Sequence, residues 1–138
     1  MPLSNDRYII RSGDGSNRPI GVSKNKVVVL AEDDLAPQWI FETKGSRYYI
    51  KTPDGQAIVY KDNKLWISDD EGEKWHFESA FHHGRNIYVI QAEDKNHGWY
   101  NPLPEDGNQL NSRPLIIGPS FPPFFPPIER FIIERVQE

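Results

Sequence analysis

The sequence of 138 residues contains no cysteine. Small secreted domains commonly depend on disulfides, so this absence favours a reducing compartment and a core that needs no covalent cross-link. The residues from Met1 to Asp6 lack the charged start and apolar stretch of a signal peptide, and no apolar run reaches membrane-spanning length. We therefore expect a cytoplasmic protein that does not enter a membrane.

Strong charge and catalytic motifs are also missing. The formal net charge is −4 and the basic residues are dispersed, so nucleic acid is not an expected partner. The chain has no glycine-rich phosphate loop, no Gly-x-Ser-x-Gly elbow and no His-Glu-x-x-His motif. His82 and His83 are adjacent, and neighbouring residues of a strand point to opposite faces, so no metal site is predicted. We predict a protein that is not an enzyme and holds no cofactor.

The sequence does contain an internal repeat. Tyr8, Tyr48 and Tyr88 recur at a spacing of forty residues, each within a segment rich in Ile, Tyr and Val. A second marker follows each of them, made of an aromatic ring, any residue, an apolar residue and a glutamate. Its three copies are Trp39–Glu42, Trp75–Glu78 and Phe131–Glu134. Two markers in the same order indicate three related units, roughly 1–45, 46–84 and 85–138.

Short apolar segments separated by polar turns predict four strands in each unit. The predicted hairpins are 20–22 with 27–30, 57–60 with 65–68, and 99–100 with Leu115–Ile117, the last after a polar insertion over 101–112. Twelve strands in three similar units predict an all-β, single-domain β-trefoil, in which six strands close a barrel and three hairpins cover one end. Barrel closure removes exposed sheet edges, so we expect a monomer. The repeated aromatic rings are predicted to form the core.

The segment 119–127 departs from the repeat because it contains five prolines. Proline fixes φ and lacks a backbone donor, so this segment is predicted to be a stiff, extended loop. One interpretation is a strap that lays Phe121, Phe124 and Phe125 over the barrel. The other is a rigid exposed surface for a partner.

Several segments resemble one known family. They are Arg7–Arg11, His97–Trp99 and the ending from Pro114 through the paired prolines to Glu134. In these segments the chain resembles the cospin-like serine protease inhibitors of mushrooms. The resemblance implies a cysteine-free β-trefoil that inhibits trypsin-like proteases, with a defensive role in the fungus. It also implies a rigid loop that occupies the active-site cleft of the protease.

In that family the specificity residue is an asparagine between the second and third strands. The matching position here is Asn25, flanked by Lys24 and Lys26 in a short turn over 23–26. An ordinary Asn-containing turn is the alternative interpretation. Arg18 and Arg113 are set aside because each precedes a proline. Candidates for a second inhibitory loop are two basic residues, Lys64 and Arg85, and two residues of the polar insertion, Asn101 and Asn108.

Two other functions stay open at this stage. Many trefoils bind carbohydrate, but the Gln-x-Trp mark of ricin-type lectins is absent, since Gln38 and Trp39 are adjacent. Inhibition of cysteine proteases, as in the mycocypin inhibitors, is the other possibility. Protease assays and a glycan array separate the three functions.

Overall fold

The computed structural model describes residues 4–69, 72–102, 105–120 and 122–136. These residues include twelve strands and two short 3₁₀ helices, at Phe81–His83 and Pro127–Glu129. The strands are β1 (Asp6–Ser12), β2 (Ile20–Ser23), β3 (Lys26–Val29), β4 (Trp39–Lys44), β5 (Arg47–Lys51), β6 (Ala57–Lys61), β7 (Lys64–Ser68), β8 (Trp75–Ser79), β9 (Ile87–Ala92), β10 (Gly98–Tyr100), β11 (Asn111–Arg113) and β12 (Phe131–Arg135). No helix within the described ranges has the length and apolar character needed to cross a membrane.

Six of the strands form a closed barrel. Antiparallel pairing runs from β1 to β4, β5, β8, β9 and β12, and β12 pairs with β1 again. Every strand of this ring has a neighbour on both sides, so the barrel has no free edge. The prediction of an all-β trefoil is confirmed, and four strands lie within each of the three sequence units.

The remaining six strands form three hairpins that meet at one end of the barrel, and we call this group the hairpin cap. β3 pairs with β7, β7 pairs with β11, and an isolated bridge joins Val28 to Gln109. In each hairpin an asparagine carbonyl accepts a hydrogen bond from a backbone N–H of the next one. The three bonds join Asn25 O to Ile67 N at 2.9 Å, Asn63 O to Ser112 N at 2.9 Å, and Asn108 O to Val29 N at 2.8 Å.

The repeated aromatic rings form the core, as predicted. Tyr8, Tyr48, Tyr88, Trp39, Trp75 and Phe131 are each at most 7% exposed. Trp99 stands edge-on to Trp75 at 5.5 Å and to Phe131 at 5.8 Å between ring centroids. Edge-to-face contacts of this kind stabilise a core beyond the area that they bury.

One predicted strand is wrong. The last strand of the third hairpin is β11, Asn111–Arg113, and not Leu115–Ile117. Pro114 lacks an N–H and ends the ladder, while Ser112 is fully buried and donates to the carbonyl of Asn63. Polar residues that resembled the end of an insertion therefore form the strand.

The proline-rich segment lies on the side of the barrel. Phe125 is 4% exposed and its backbone N–H donates to His83 Nε2 at 3.1 Å. Phe124 stays 46% exposed, and Phe121 lies outside the described residues. Phe125 therefore fits the interpretation of the segment as a strap that covers the barrel.

Candidate functional site

The β2–β3 turn carries the leading site candidates. Lys24 has a φ of +51° and Asn25 a φ of +66°, while Ser23 and Lys26 pair with each other on either side. Two consecutive positive φ values are typical of the two-residue type I′ turn, and asparagine tolerates this conformation well. All four side chains are exposed to solvent.

The backbone of this turn is held firmly although its side chains are exposed. The carbonyl of Asn25 accepts the N–H of Ile67, and Lys26 pairs with Trp66 of β7. Val27, which follows directly, is fully buried. The turn therefore presents its side chains from a fixed frame.

The side chain of Asn25 differs from that of its counterpart in the second hairpin. Asn63 has a φ of +64° in the equivalent turn, and its Oδ1 accepts the hydroxyl of Tyr60 at 2.9 Å. The position in the first hairpin that corresponds to Tyr60 is Val22, which has no hydroxyl. Within the described residues, the side-chain amide of Asn25 makes no hydrogen bond, so it can bind a partner with both its donor and its acceptor.

The lysines beside Asn25 make no ion pair with the described residues. No carboxylate among the described residues lies within ion-pair distance of Lys24 or Lys26. An exposed ammonium keeps its hydration until a partner approaches, so such groups affect the rate and selectivity of association more than fold stability.

Two of the second-loop candidates share the hairpin cap with Asn25. Lys64 is exposed at the start of β7, where it pairs with Asn111 of the third hairpin. Asn108 is partly exposed, and its carbonyl accepts the N–H of Val29 in the first hairpin. These two residues could contact a partner that binds the β2–β3 turn.

Arg85 lies outside the hairpin cap. It is exposed at an open cleft of about 570 Å³ on the side of the barrel. The charged residues that share this cleft are Arg11, Glu32 and Glu134. Positive and negative charges are mixed there, so the cleft does not resemble a site for one charged group.

Asn101 is the candidate that the structure removes as a contact residue. It is fully buried, and its Nδ2 lies 3.4 Å from both Ser12 Oγ and Asp14 Oδ2. Its backbone N–H donates to the carbonyl of Ile128 at 2.9 Å. The residue supports the base of the β1–β2 loop and cannot reach a protein partner.

A residue that the sequence analysis did not select is Leu35, in the β3–β4 loop over 30–38. Its side chain is 94% exposed. The sequence does indicate an exposed position, since Leu35 directly follows the acidic run Glu32–Asp34. Charged residues favour the surface, so a leucine beside three of them is not expected to reach the core.

Comparison with known proteins gives the family. The model of the family described as peptidase inhibitor I66 matches residues 1–135. A protein of Lentinula edodes named serine protease inhibitor is 32% identical over 143 residues, covering 98% of this chain and 99% of that protein. The matched family and the Lentinula relative are both described as inhibitors and not as enzymes.

Solved structures agree in fold. A proteinase inhibitor from Coprinopsis cinerea matches with a TM-score of 0.87 and 25% identity, covering 97% of this chain and 99% of the other. A ricin B-like lectin of Macrolepiota procera, solved with lactose, matches with a TM-score of 0.78 at 13% identity over 99% of both chains. The second likeness concerns the trefoil alone. The family match over residues 1–135 and the Lentinula relative show that this chain belongs to the peptidase inhibitor I66 family of fungal β-trefoil protease inhibitors.

Proposed function

We propose that the chain inhibits trypsin-like serine proteases by inserting the β2–β3 turn into the active-site cleft. Asn25 occupies the specificity pocket, and Lys24 and Lys26 contact its rim. The observation that carries the proposal is the free side-chain amide of Asn25 on a turn whose backbone is already bonded to β7.

A fixed turn binds tightly because little ordering remains to be done. The conformational entropy of residues 24–25 is lost when the hairpin cap folds, so complex formation does not have to supply it. The resemblance to the cospin-like inhibitors assigns specificity to an asparagine between the second and third strands. Asn25 lies between β2 and β3.

Charge supports a trypsin-like target over other serine proteases. The specificity pocket of trypsin contains an aspartate, which attracts Lys24 and Lys26 during approach. Interfaces of protease inhibitors bury about 1,600 Å² in total, more than one turn supplies. Lys64 and Asn108, in the same hairpin cap, are therefore proposed as flanking contacts.

The test is a titration of trypsin with the wild-type chain, the Asn25→Gly variant and the Asn63→Gly control. Glycine accepts positive φ without strain, so both variants keep their turns. We expect stoichiometric inhibition by the wild type, a loss of about 30-fold in affinity for Asn25→Gly, and near wild-type affinity for Asn63→Gly. Absence of trypsin inhibition, or equal losses in the two variants, would contradict the proposal. Papain assayed in parallel tests the cysteine-protease alternative.

A further inference from the structure

The β3–β4 loop presents the most exposed large apolar side chain of the described residues. Leu35 is 94% exposed, against 57% for Ile116 and 51% for Ile117. Burying a leucine side chain is favourable, so a chain that leaves one fully in solvent forgoes that gain in the free state. A partner that covers Leu35 recovers it.

The backbone around Leu35 is equally available. Among the described residues, neither Leu35 nor Ala36 has a hydrogen-bond partner for its N–H or C=O. No residue over 30–38 has a positive φ. Pro37 follows Ala36 and disfavours helical backbone at that residue, which favours an extended conformation there. Free backbone groups beside such a residue allow an enzyme's cleft to pair with the loop as an added strand.

Both sides of the exposed segment are anchored. The N–H of Asp34 donates to the carbonyl of Ala31 at 3.0 Å, and Asp34 Oδ2 accepts the N–H of Ala31 at 3.1 Å. After Leu35, the ring of Pro37 packs against Gly21 so closely that a Cβ on that glycine would lie 2.9 Å from Pro37 Cγ. The loop is therefore held in shape on either side of Leu35.

The side chains of the β3–β4 loop indicate which class of protease it fits. A leucine cannot satisfy the buried aspartate of a trypsin pocket, but it fills the apolar pocket of a chymotrypsin-type enzyme. The next residue, Ala36, is small and has a backbone N–H, unlike the prolines that follow Arg18 and Arg113. Glu32 and Asp33 are exposed and precede Leu35, which favours a cleft with a neutral or basic rim.

We propose that the β3–β4 loop is a second protease-binding site, in which Leu35 enters the specificity pocket of a serine protease that prefers apolar residues. The loop lies at the opposite end of β3 from the β2–β3 turn, and four strand residues span about 13 Å. The two sites therefore use different surfaces of one hairpin. The second site does not depend on Asn25 and is tested separately.

The experiment measures inhibition of chymotrypsin by four proteins: the wild type, Leu35→Ala, Leu35→Phe and the control Ile116→Ala. Leu35→Ala is expected to weaken inhibition by about 30-fold or more, because a central interface side chain is truncated. Leu35→Phe retains inhibition, since the apolar pocket accepts a ring. Ile116→Ala removes another exposed apolar side chain, outside the β3–β4 loop, and leaves inhibition unchanged.

The same four proteins assayed against trypsin separate this proposal from the previous one. Loss of chymotrypsin inhibition in Leu35→Ala with intact trypsin inhibition supports two sites. If trypsin is not inhibited at all but chymotrypsin inhibition depends on Leu35, the trypsin site fails and the Leu35 site stands. If the wild type does not inhibit chymotrypsin, or if Leu35→Ala inhibits it as well as the wild type does, the Leu35 site is wrong. Unchanged thermal unfolding of Leu35→Ala verifies that the fold is retained.

Discussion

The two ends of the β2–β3 hairpin differ in what they leave free. At the turn, the carbonyl of Asn25 is bonded to β7 and the side chains of residues 23–26 face solvent. At the other end, Leu35 exposes its side chain, and the backbone groups of Leu35 and Ala36 make no hydrogen bond within the described residues. A turn of the first kind can insert a side chain into a pocket, whereas a loop of the second kind can also pair along an enzyme's strand.

The difference follows from chain length between paired strands. Only two residues connect β2 to β3, so their backbone is fixed by the hairpin and by the cap that the hairpin joins. Nine residues, 30–38, connect β3 to β4. Between the contacts of Asp34 and Pro37, the backbone of Leu35 and Ala36 makes no hydrogen bond to the described residues. The predictions below test whether each end acts independently.

The largest effect is expected for Gly21→Ala. The added methyl group would lie 2.6 Å from Leu30 Cδ1 and 2.9 Å from Pro37 Cγ. The leucine can move, but the proline ring is rigid, so we expect a loss of about 1–3 kcal/mol in the free energy of unfolding and weaker chymotrypsin inhibition. Trypsin inhibition, measured in the same samples, should persist. A loss at both ends together would show that the two regions are not independent.

The next effect is expected for Val22→Tyr. A tyrosine here offers Asn25 the hydroxyl that Tyr60 offers Asn63, and the amide would then be occupied. Trypsin inhibition should fall by about 10-fold, the upper range for one hydrogen bond. Val22→Phe supplies the ring without the hydroxyl and serves as the control. Equal potency of the Tyr and Phe variants would mean that the free amide has no role.

A smaller effect is expected for Asp34→Ala, which removes the acceptor of the Ala31 N–H. The β3–β4 loop keeps its Pro37 anchor but loses part of its preorganisation. Chymotrypsin inhibition should weaken by about 3-fold, and trypsin inhibition should not change. Inhibition constants at low and high salt distinguish this loss from the removal of one negative charge, because only the charge effect is screened.

The smallest effect concerns the strap and neither end of the hairpin. Burial lowers the pKa of His83 below its usual 6.5, and the nearby charges of Arg130 and His82 act in the same direction. The folded state therefore binds fewer protons than the unfolded state, and stability is lost as pH falls from 6.5 towards the folded pKa. Thermal unfolding at pH 8 and pH 5 should show a smaller pH dependence for His83→Gln than for the wild type. An unchanged dependence would remove His83 as its source.

The barrel could be predicted from the sequence because its aromatic core positions recur at regular spacing within short strand segments. The tyrosines at 8, 48 and 88 recur at a fixed spacing and each one packs in the core. The turns carry a further repeat, since Asn25, Asn63 and Asn108 precede the buried Val27, Leu65 and Leu110 by two residues each. This spacing places the last strand of the third hairpin directly after Leu110, where β11 lies.

The loop conformations could not be predicted in this way because they depend on contacts with residues far away in the sequence. Asn101 is buried by contacts with Ser12 and Asp14, which are almost ninety residues earlier in the chain. Leu35 is exposed in a loop that is held at Asp34 and Pro37, and the second of these contacts involves Gly21 of another strand. The usual burial of each residue type predicts the opposite for both residues, namely an exposed asparagine and a buried leucine.

A crystal structure of the chain bound to trypsin shows directly which loop enters the active-site cleft. We expect residues 23–26 to occupy the cleft, Asn25 to lie in the specificity pocket and Leu35 to remain in solvent. A complex in which the β2–β3 turn lies outside the cleft, with any other loop inside it, would show that Asn25 is not the specificity residue.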